Sequence, residues 1–229
     1  MSVTGSNRVE GVPGPVGAFL RHRHAVLFYL LLLTLAAAPV LSALGAGTPL
    51  LQGFLALNIL GAAASIERGR KALLLLAVVS IAGRVLAARS GNPVLDEGSL
   101  FLWAALALLA AVASLRFAFG TQRVDAEQLY AALSAYLLVG LFCGVLHWTI
   151  ETASPASFAS GGVAMGPGEF TLSRGIYFSF VTLATLGYGD IVPNSDLTRG
   201  LAVFEAVAGQ LYVAVIVARL VGAYAQRPD

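Results

Sequence analysis

The chain has 229 residues, of which 58% are hydrophobic and 11% are charged, and its formal net charge is +2. A soluble domain covers its surface with far more charge, so the composition predicts an integral membrane protein. The small charge, without a basic block carrying interleaved aromatic residues, argues against a nucleic-acid partner. Cys143 lies in an apolar run, so we expect it to be a small buried residue without an intrachain disulfide.

Breaks in the apolar sequence predict five membrane helices in the first 150 residues. No charged residue occurs between His24 and Glu67, a stretch that suits two helices of about 20 residues each. Asp125 and Gln128 have the spacing of a capping box, which opens the fifth helix. The predicted helices cover residues 25–44, 50–66, 72–88, 99–119 and 126–150.

The pattern changes after residue 150. Residues 151–169 are rich in Ser, Ala, Gly and Pro, so we expect an exposed loop. A helix at residues 173–184 would be about 18 Å long, too short to cross a hydrocarbon core of about 30 Å. We therefore expect it to enter the membrane and stop. A polar return loop at 191–198 and a last helix at 199–224 follow.

The predicted fold is all-α, with six transmembrane helices and one re-entrant helix between the fifth and the sixth. Residues 1–24 are expected to be a cytoplasmic segment and not a removed signal peptide. Residues 25–124 form a four-helix membrane domain of unknown role, 125–225 a second unit, and 226–229 a short cytoplasmic tail. Most Lys and Arg residues near the membrane ends then lie on one side, which predicts that both termini are cytoplasmic and that the re-entrant part faces outward.

The run Thr185-Leu186-Gly187-Tyr188-Gly189-Asp190 directly follows the short helix. Its two glycines flank one aromatic residue and can take backbone conformations that a Cβ atom excludes. Irregular backbone at membrane depth is tolerated only where it lines a water-filled path or is buried in protein. The sequence therefore predicts a pore at this run.

The same run closely resembles the selectivity filter of the potassium channel family, with Leu186 where Val is usual. The resemblance implies that the carbonyl groups of Thr185, Leu186, Gly187 and Tyr188, with the Thr185 hydroxyl, bind potassium ions in place of water, and that Gly189 completes the filter. Asp190 would stand at the outer mouth and concentrate cations. A ring of four loops is needed, so the resemblance also implies a homotetramer, in contact with membrane lipids and without a cofactor.

The resemblance extends over the short helix, where we expect Tyr177, Phe178 and Thr182 to support the filter. Many family members carry a Trp at the place of Phe178, whose N–H group bonds the filter aspartate. We therefore expect Asp190 to lack that contact and the filter to inactivate readily. Glu205, inside the last helix, is expected to bond Thr182 or Tyr177; the alternative is a proton-sensing role.

Further candidates lie on the last and fifth helices. Gly209 stands where the resemblance places a hinge; the alternative is close packing of small residues. Helical spacing in the last helix also predicts a cavity-lining stripe of Gln210, Val213, Val217 and Val221, unless the valines face lipid or the fifth helix. On the fifth helix, His147 and Trp148 are expected to be interface anchors, with an external pH sensor as the alternative reading of the histidine.

A six-helix chain of this kind resembles voltage-gated channels in outline. A voltage-sensing helix needs several basic residues in the membrane field, at about 2.3 kcal/mol per charge per 100 mV. The fourth helix has only Arg116, and Arg84 is alone in the third. We therefore expect a potassium channel of the plasma membrane that is not steeply voltage-gated, and not an enzyme. A weakly selective cation channel and a non-conducting sensor or regulatory subunit are the alternatives.

Overall fold

The structure, a computed structural model, describes residues 22–43, 47–66, 70–90, 93–120 and 125–225. Within these ranges the chain is mostly helical, with three short strands in the second half of the sequence. The elements in chain order are α1 (Arg23–Ala43), α2 (Gly47–Ser65), α3 (Arg70–Ser90), α4 (Pro93–Phe119), α5 (Ala126–Ala153), β1 (Phe158–Ser160), β2 (Val163–Ala164), α6 (Leu172–Leu183), β3 (Ile191–Pro193) and α7 (Asp196–Ala225).

Four of the described helices are long and apolar enough to cross a membrane. A shorter apolar stretch, Leu50–Ser65, lies in α2. These helices make the chain a membrane protein. The predicted terminal segments lie outside the described residues, except for residues 22–24. The four candidate spans are Arg23–Leu41, Leu102–Phe119, Ala126–Ala153 and Asp196–Ala223.

The predicted helices are present, with shifted ends. The largest shift is in α4, which begins at Pro93 and not at residue 99. Proline is favoured at a helix start because its missing N–H group would have no partner there. The predicted capping box is confirmed, since Asp125 Oδ1 accepts from the Gln128 backbone and Gln128 Oε1 accepts from the Asp125 backbone, both at 2.9 Å.

Residues 151–169 do not form the predicted exposed loop. They contain β1 and β2, which join β3 in a three-stranded antiparallel sheet of order β2-β1-β3. The fold is therefore not purely α-helical. Glu151 shapes the turn into β1, because its carboxylate accepts from the backbone N–H groups of Ala156 and Phe158, both at 3.0 Å.

An apolar cluster explains why this segment folds back. Phe158 is fully buried and packs with Met165, Phe170 and Phe178. The Phe158 and Phe170 rings stack with their centroids 4.3 Å apart. The Ser, Ala, Gly and Pro content of the segment concealed Phe158 and Met165, whose burial favours a packed structure over a solvated loop.

Helix α5 is the centre of the packing, in contact with α1, α4, α6 and α7. Glycines bring α6 close to it. A Cβ atom at Gly144 would lie 2.7 Å from the Ile176 Cα atom, and one at Gly175 would lie 2.6 Å from the Gly144 carbonyl oxygen. No side chain fits between the two backbones at these points, so α6 is fixed against α5.

The helices differ in how much of their surface this single chain covers. In α5, 56% of the span is buried, whereas in α7 only 11% is. Most of the apolar surface of α7 is therefore left uncovered by its own chain. Such a surface on a membrane helix faces lipid or another protein chain.

Candidate functional site

The short helix α6 positions the filter-like run. It has 12 residues and is capped by Thr171, whose hydroxyl accepts from the Arg174 backbone N–H group. At its other end, the N–H groups of the following residues donate back into the last turn. Thr185 N lies 3.0 Å from the Thr182 carbonyl oxygen, and Leu186 N lies 2.9 Å from that of Val181. The start of the run is thus tied to the end of α6.

The backbone conformation alternates along the run. Thr185, Gly187 and Gly189 have φ angles of +56°, +58° and +77°, in the left-handed region. The two glycines accept this conformation readily, while Thr185 pays about 1–2 kcal/mol for it. Among the described residues, no hydrogen bond is made to the carbonyl oxygens of 185–189. These carbonyl groups remain available to a cation.

The side chains of the run are exposed in the single chain. Leu186 is 57% exposed and Tyr188 is 67% exposed. On α7, Val203, Phe204 and Val207 are exposed as well. Apolar and aromatic side chains at this exposure, next to an uncovered helix, form a surface suited to contact with further protein chains.

Asp190 has a partner that the sequence did not lead us to expect. The Tyr177 hydroxyl donates to Asp190 Oδ2 at 2.9 Å. Partial burial and this hydrogen bond raise the pKa of the Tyr177 hydroxyl above its ordinary value, so the donor persists. Phe178 offers no N–H donor to Asp190, as the sequence predicts, but the Tyr177 hydroxyl, one residue before it, supplies a donor.

Phe178 is buried and makes no polar contact with Asp190. Its ring packs edge-on against the rings of His147 and Phe158, with centroids 5.0 Å and 5.1 Å away. It lies in the apolar cluster that anchors β1 behind α6. Thr182 is half-buried and contributes its carbonyl oxygen to the bond from Thr185.

Glu205 joins three helices in a buried network. Its Oε2 atom lies 2.8 Å from Nε2 of His147 on α5, and its Oε1 atom lies 2.5 Å from Oγ of Ser179 on α6. Ser179 Oγ also lies 2.7 Å from the Gly140 carbonyl oxygen. The partners predicted for Glu205 were wrong, because its carboxylate oxygens contact His147 and Ser179, while the Tyr177 hydroxyl bonds Asp190.

His147 is a member of this network and not an interface anchor. It is buried, and its Nδ1 atom has no hydrogen-bond partner among the described residues. Sequence reasoning missed Ser179 altogether. The signal was present, since Glu205 and His147 are ionisable residues within apolar spans and each needs a polar neighbour. Trp148 is half-buried and packs against the apolar cluster that contains Phe158, and its role as an anchor stays a prediction.

Helix α7 meets the end of α6 at Gly209. A Cβ atom there would lie 2.5 Å from the Leu183 carbonyl oxygen, so close packing accounts for this glycine. The next residue, Gln210, donates from Nε2 to Thr185 Oγ1 at 3.2 Å. Val213, Val217 and Val221 are exposed on α7.

Charged groups are sparse in the described part of the first four helices. Arg84 is buried in α3, where its Nη1 atom donates to Ser99 Oγ at 3.3 Å. Arg116 lies in the last turn of α4. Among the described residues, no group of His, Cys, Asp and Glu side chains is placed to hold a metal ion.

Comparison with known proteins places these features in context. A family model described as an ion channel matches residues 133–226, which include α6, the run at 185–190 and α7. Two-pore potassium channel 3 of Arabidopsis thaliana is 27% identical over 104 residues, which cover 44% of this chain and 20% of that protein. Two pore potassium channel a of Oryza sativa subsp. japonica is 44% identical over 45 residues, 20% of this chain and 13% of that protein.

The match to a bacterial relative covers more of that relative's length. Protein LctB of Geobacillus stearothermophilus is 30% identical over 108 residues, which are 44% of this chain and 75% of that protein. In contrast, the matched part of the chain spans a fifth or less of the two plant proteins. No solved structure matches the chain.

Proposed function

This chain belongs to the ion-channel family and, within it, to the potassium channels, and we propose that it forms a homotetramer that conducts potassium passively and selectively. The carrying observation is the alternation of left-handed residues at Thr185, Gly187 and Gly189, in a run tied to the end of α6. Such alternation leaves consecutive carbonyl groups without helical hydrogen bonds. A ring of these oxygens can replace the hydration shell of a potassium ion.

The proposed ion sites use the carbonyl groups of Thr185, Leu186, Gly187 and Tyr188 and the hydroxyl of Thr185. Gly189 completes the filter. Asp190 stands at the outer mouth, where its charge concentrates cations. The bond from Tyr177 to Asp190 supports this role, because it fixes the carboxylate beside the run.

The tetramer is supported by what one chain leaves uncovered. A single run cannot enclose an axis, and its side chains are exposed next to α7, of which only 11% is buried. Neighbouring copies would cover the apolar part of this surface. Gln210, Val213, Val217 and Val221 would then line the inner cavity, and Val217 or Val221 would form an apolar constriction.

The proposed topology has six spans and a re-entrant α6, in the plasma membrane with both termini cytoplasmic. Its basis is the distribution of basic residues and the length of α6, about 18 Å for 12 residues. Steep voltage gating is not part of the proposal, because Arg116 is at the end of α4 and Arg84 is inside α3. The activity is passive transport, without an enzymatic step or cofactor.

Potassium flux into liposomes containing the purified chain tests the proposal. We expect flux that exceeds sodium flux and changes little with voltage. Gly187→Val should abolish it, because a β-branched residue disfavours the positive φ at this position. Gly222→Ala is the matched control, since a Cβ atom there meets nothing within 4 Å.

Other results would favour the alternatives. Equal sodium and potassium fluxes would indicate a weakly selective cation channel. Absence of flux from folded tetramers, restored by a second protein, would indicate a regulatory subunit. Crosslinking in detergent measures the oligomeric state of the protein. A conducting monomer or dimer would contradict the tetramer.

A further inference from the structure

We propose that Gln210 is a specificity-determining residue of the conduction path, which acts by holding the hydroxyl group of Thr185. The inference rests on the proposed function and adds a residue outside the filter to it. Its basis is the contact from Gln210 Nε2 to Thr185 Oγ1, 3.2 Å long, between residues on α7 and at the start of the run.

The contact depends on a close approach of two backbones. At Gly209, α7 comes so near to α6 that a Cβ atom would lie 2.5 Å from the Leu183 carbonyl oxygen. The residue that follows Gly209 on α7 is therefore brought up to the residues that follow Leu183. Gln210 reaches Thr185 only because residue 209 has no side chain.

The backbone that carries the Thr185 hydroxyl is held in place. The backbone N–H group of Thr185 donates to the Thr182 carbonyl oxygen at 3.0 Å, and its φ of +56° sets the direction of its Cα–Cβ bond. The amide of Gln210 then occupies one of the two lone pairs of Oγ1. If the amide is turned over, it accepts the hydroxyl proton instead, and in both arrangements the hydroxyl no longer rotates freely.

A held oxygen discriminates between cations of different size. A freely rotating hydroxyl can follow a smaller ion and preserve short contacts, whereas a held one leaves the smaller ion with contacts that are too long. Preorganisation of this kind favours the ion that matches the fixed positions. Gln210 would thus strengthen rejection of sodium at the innermost ion position of the filter.

The test measures sodium and potassium flux in proteoliposomes for the parent chain and for Gln210→Met. Methionine has a similar length and no amide. We expect the sodium-to-potassium flux ratio to rise roughly threefold to tenfold, as for the loss of one hydrogen bond. Leu211→Met introduces the same side chain at the next position of α7, at an exposed residue outside the proposed cavity stripe, and its ratio should stay within about twofold of the parent ratio.

A second variant separates the hydrogen bond from the polarity of the cavity. Gln210→Asn keeps an amide on a shorter side chain that does not reach Thr185, so its ratio should rise as in Gln210→Met. An unchanged ratio in both variants, with a parent chain that selects potassium, would overturn the inference and leave the proposed function intact. A parent chain that passes no potassium would overturn the proposed function and the inference with it.

Discussion

Nε2 of His147 and Oε2 of Glu205, from residues 58 positions apart in the chain, lie 2.8 Å from each other with side chains only 1% and 2% exposed. Ser179 completes this network from α6 at 2.5 Å. Helices α5, α6 and α7 are therefore joined at one buried point.

Removal of Glu205 should destabilise the fold. In Glu205→Leu, His147 loses its hydrogen-bond partner while it remains buried, which costs about 1–3 kcal/mol. Glu205→Gln retains an acceptor and a donor and should cost less. Thermal unfolding in detergent measures the difference, and Asp196→Asn, at an exposed position of the same helix, is the control. A Glu205→Leu protein as stable as the parent would contradict the role of the network.

Tyr177 should determine how long the filter conducts. Tyr177→Phe removes the hydroxyl that donates to Asp190 and frees the carboxylate. We expect current in planar bilayers to decay roughly fivefold faster, as for the loss of about 1 kcal/mol. Tyr130→Phe, which removes a tyrosine hydroxyl from α5 next to Tyr29, should decay at the parent rate. Equal decay in all three proteins would show that the Tyr177 bond is not used.

Tryptophan at position 178 should not prolong conduction. The Phe178 ring is buried between His147 and Phe158, and a larger indole overpacks this cluster at a cost of about 1–3 kcal/mol. Asp190 already has its donor in Tyr177. We expect Phe178→Trp to lower the unfolding temperature without slowing current decay. Slower decay would mean that the indole reaches Asp190 after all.

The Tyr177 contact predicts a one-sided pH dependence. Its pKa is raised above the ordinary value, first by partial burial and then by the bond to Asp190. A group with a raised folded-state pKa contributes fully below its unfolded pKa, about 10 for tyrosine, and loses the contribution as pH rises through the folded value. Current decay should therefore accelerate only above about pH 10, and this acceleration should be missing in Tyr177→Phe.

Gly209 should tolerate no side chain. In Gly209→Ala, the new methyl group meets the Leu183 carbonyl oxygen and forces α7 away from α6. We expect a loss of about 1–3 kcal/mol in stability and a fall in potassium flux, because α7 no longer reaches the filter-like run. Gly222→Ala, where the space is open, should preserve flux and gain helix propensity. Normal flux in Gly209→Ala would favour a hinge that does not need the close contact.

The sequence was sufficient for features set by local chemistry. Apolar runs and their Gly, Pro and charged breaks located the helices, and Asp125 with Gln128 located a helix start. The positive φ at Gly187 and Gly189 agrees with the freedom expected of two glycines around one tyrosine.

Features that depend on how the helices cross could not be predicted from the sequence. Glu205 was known to need a partner, but the choice among Ser179, Thr182 and Tyr177 depends on how α7 is rotated against α6. The sheet was missed because Phe158, Met165 and Phe170 are spaced irregularly and become a cluster only after the chain reverses. The positive φ of Thr185 could not be predicted from the sequence, because threonine usually avoids this conformation.

The pairing of β1 with β3 closes residues 158–193, which contain the filter-like run, into an exchangeable module. Phe158 is opposite Pro193 and Ser160 is opposite Ile191, so both ends of residues 158–193 emerge side by side. Asn194 N donates to the Ser157 carbonyl oxygen at 2.7 Å and closes the base. A segment from a related channel that keeps these two strands and the contacts of Gly175 and Ser179 could be transplanted between α5 and α7. The backbone of the filter-like run would move with it, while Gln210 would stay behind on α7.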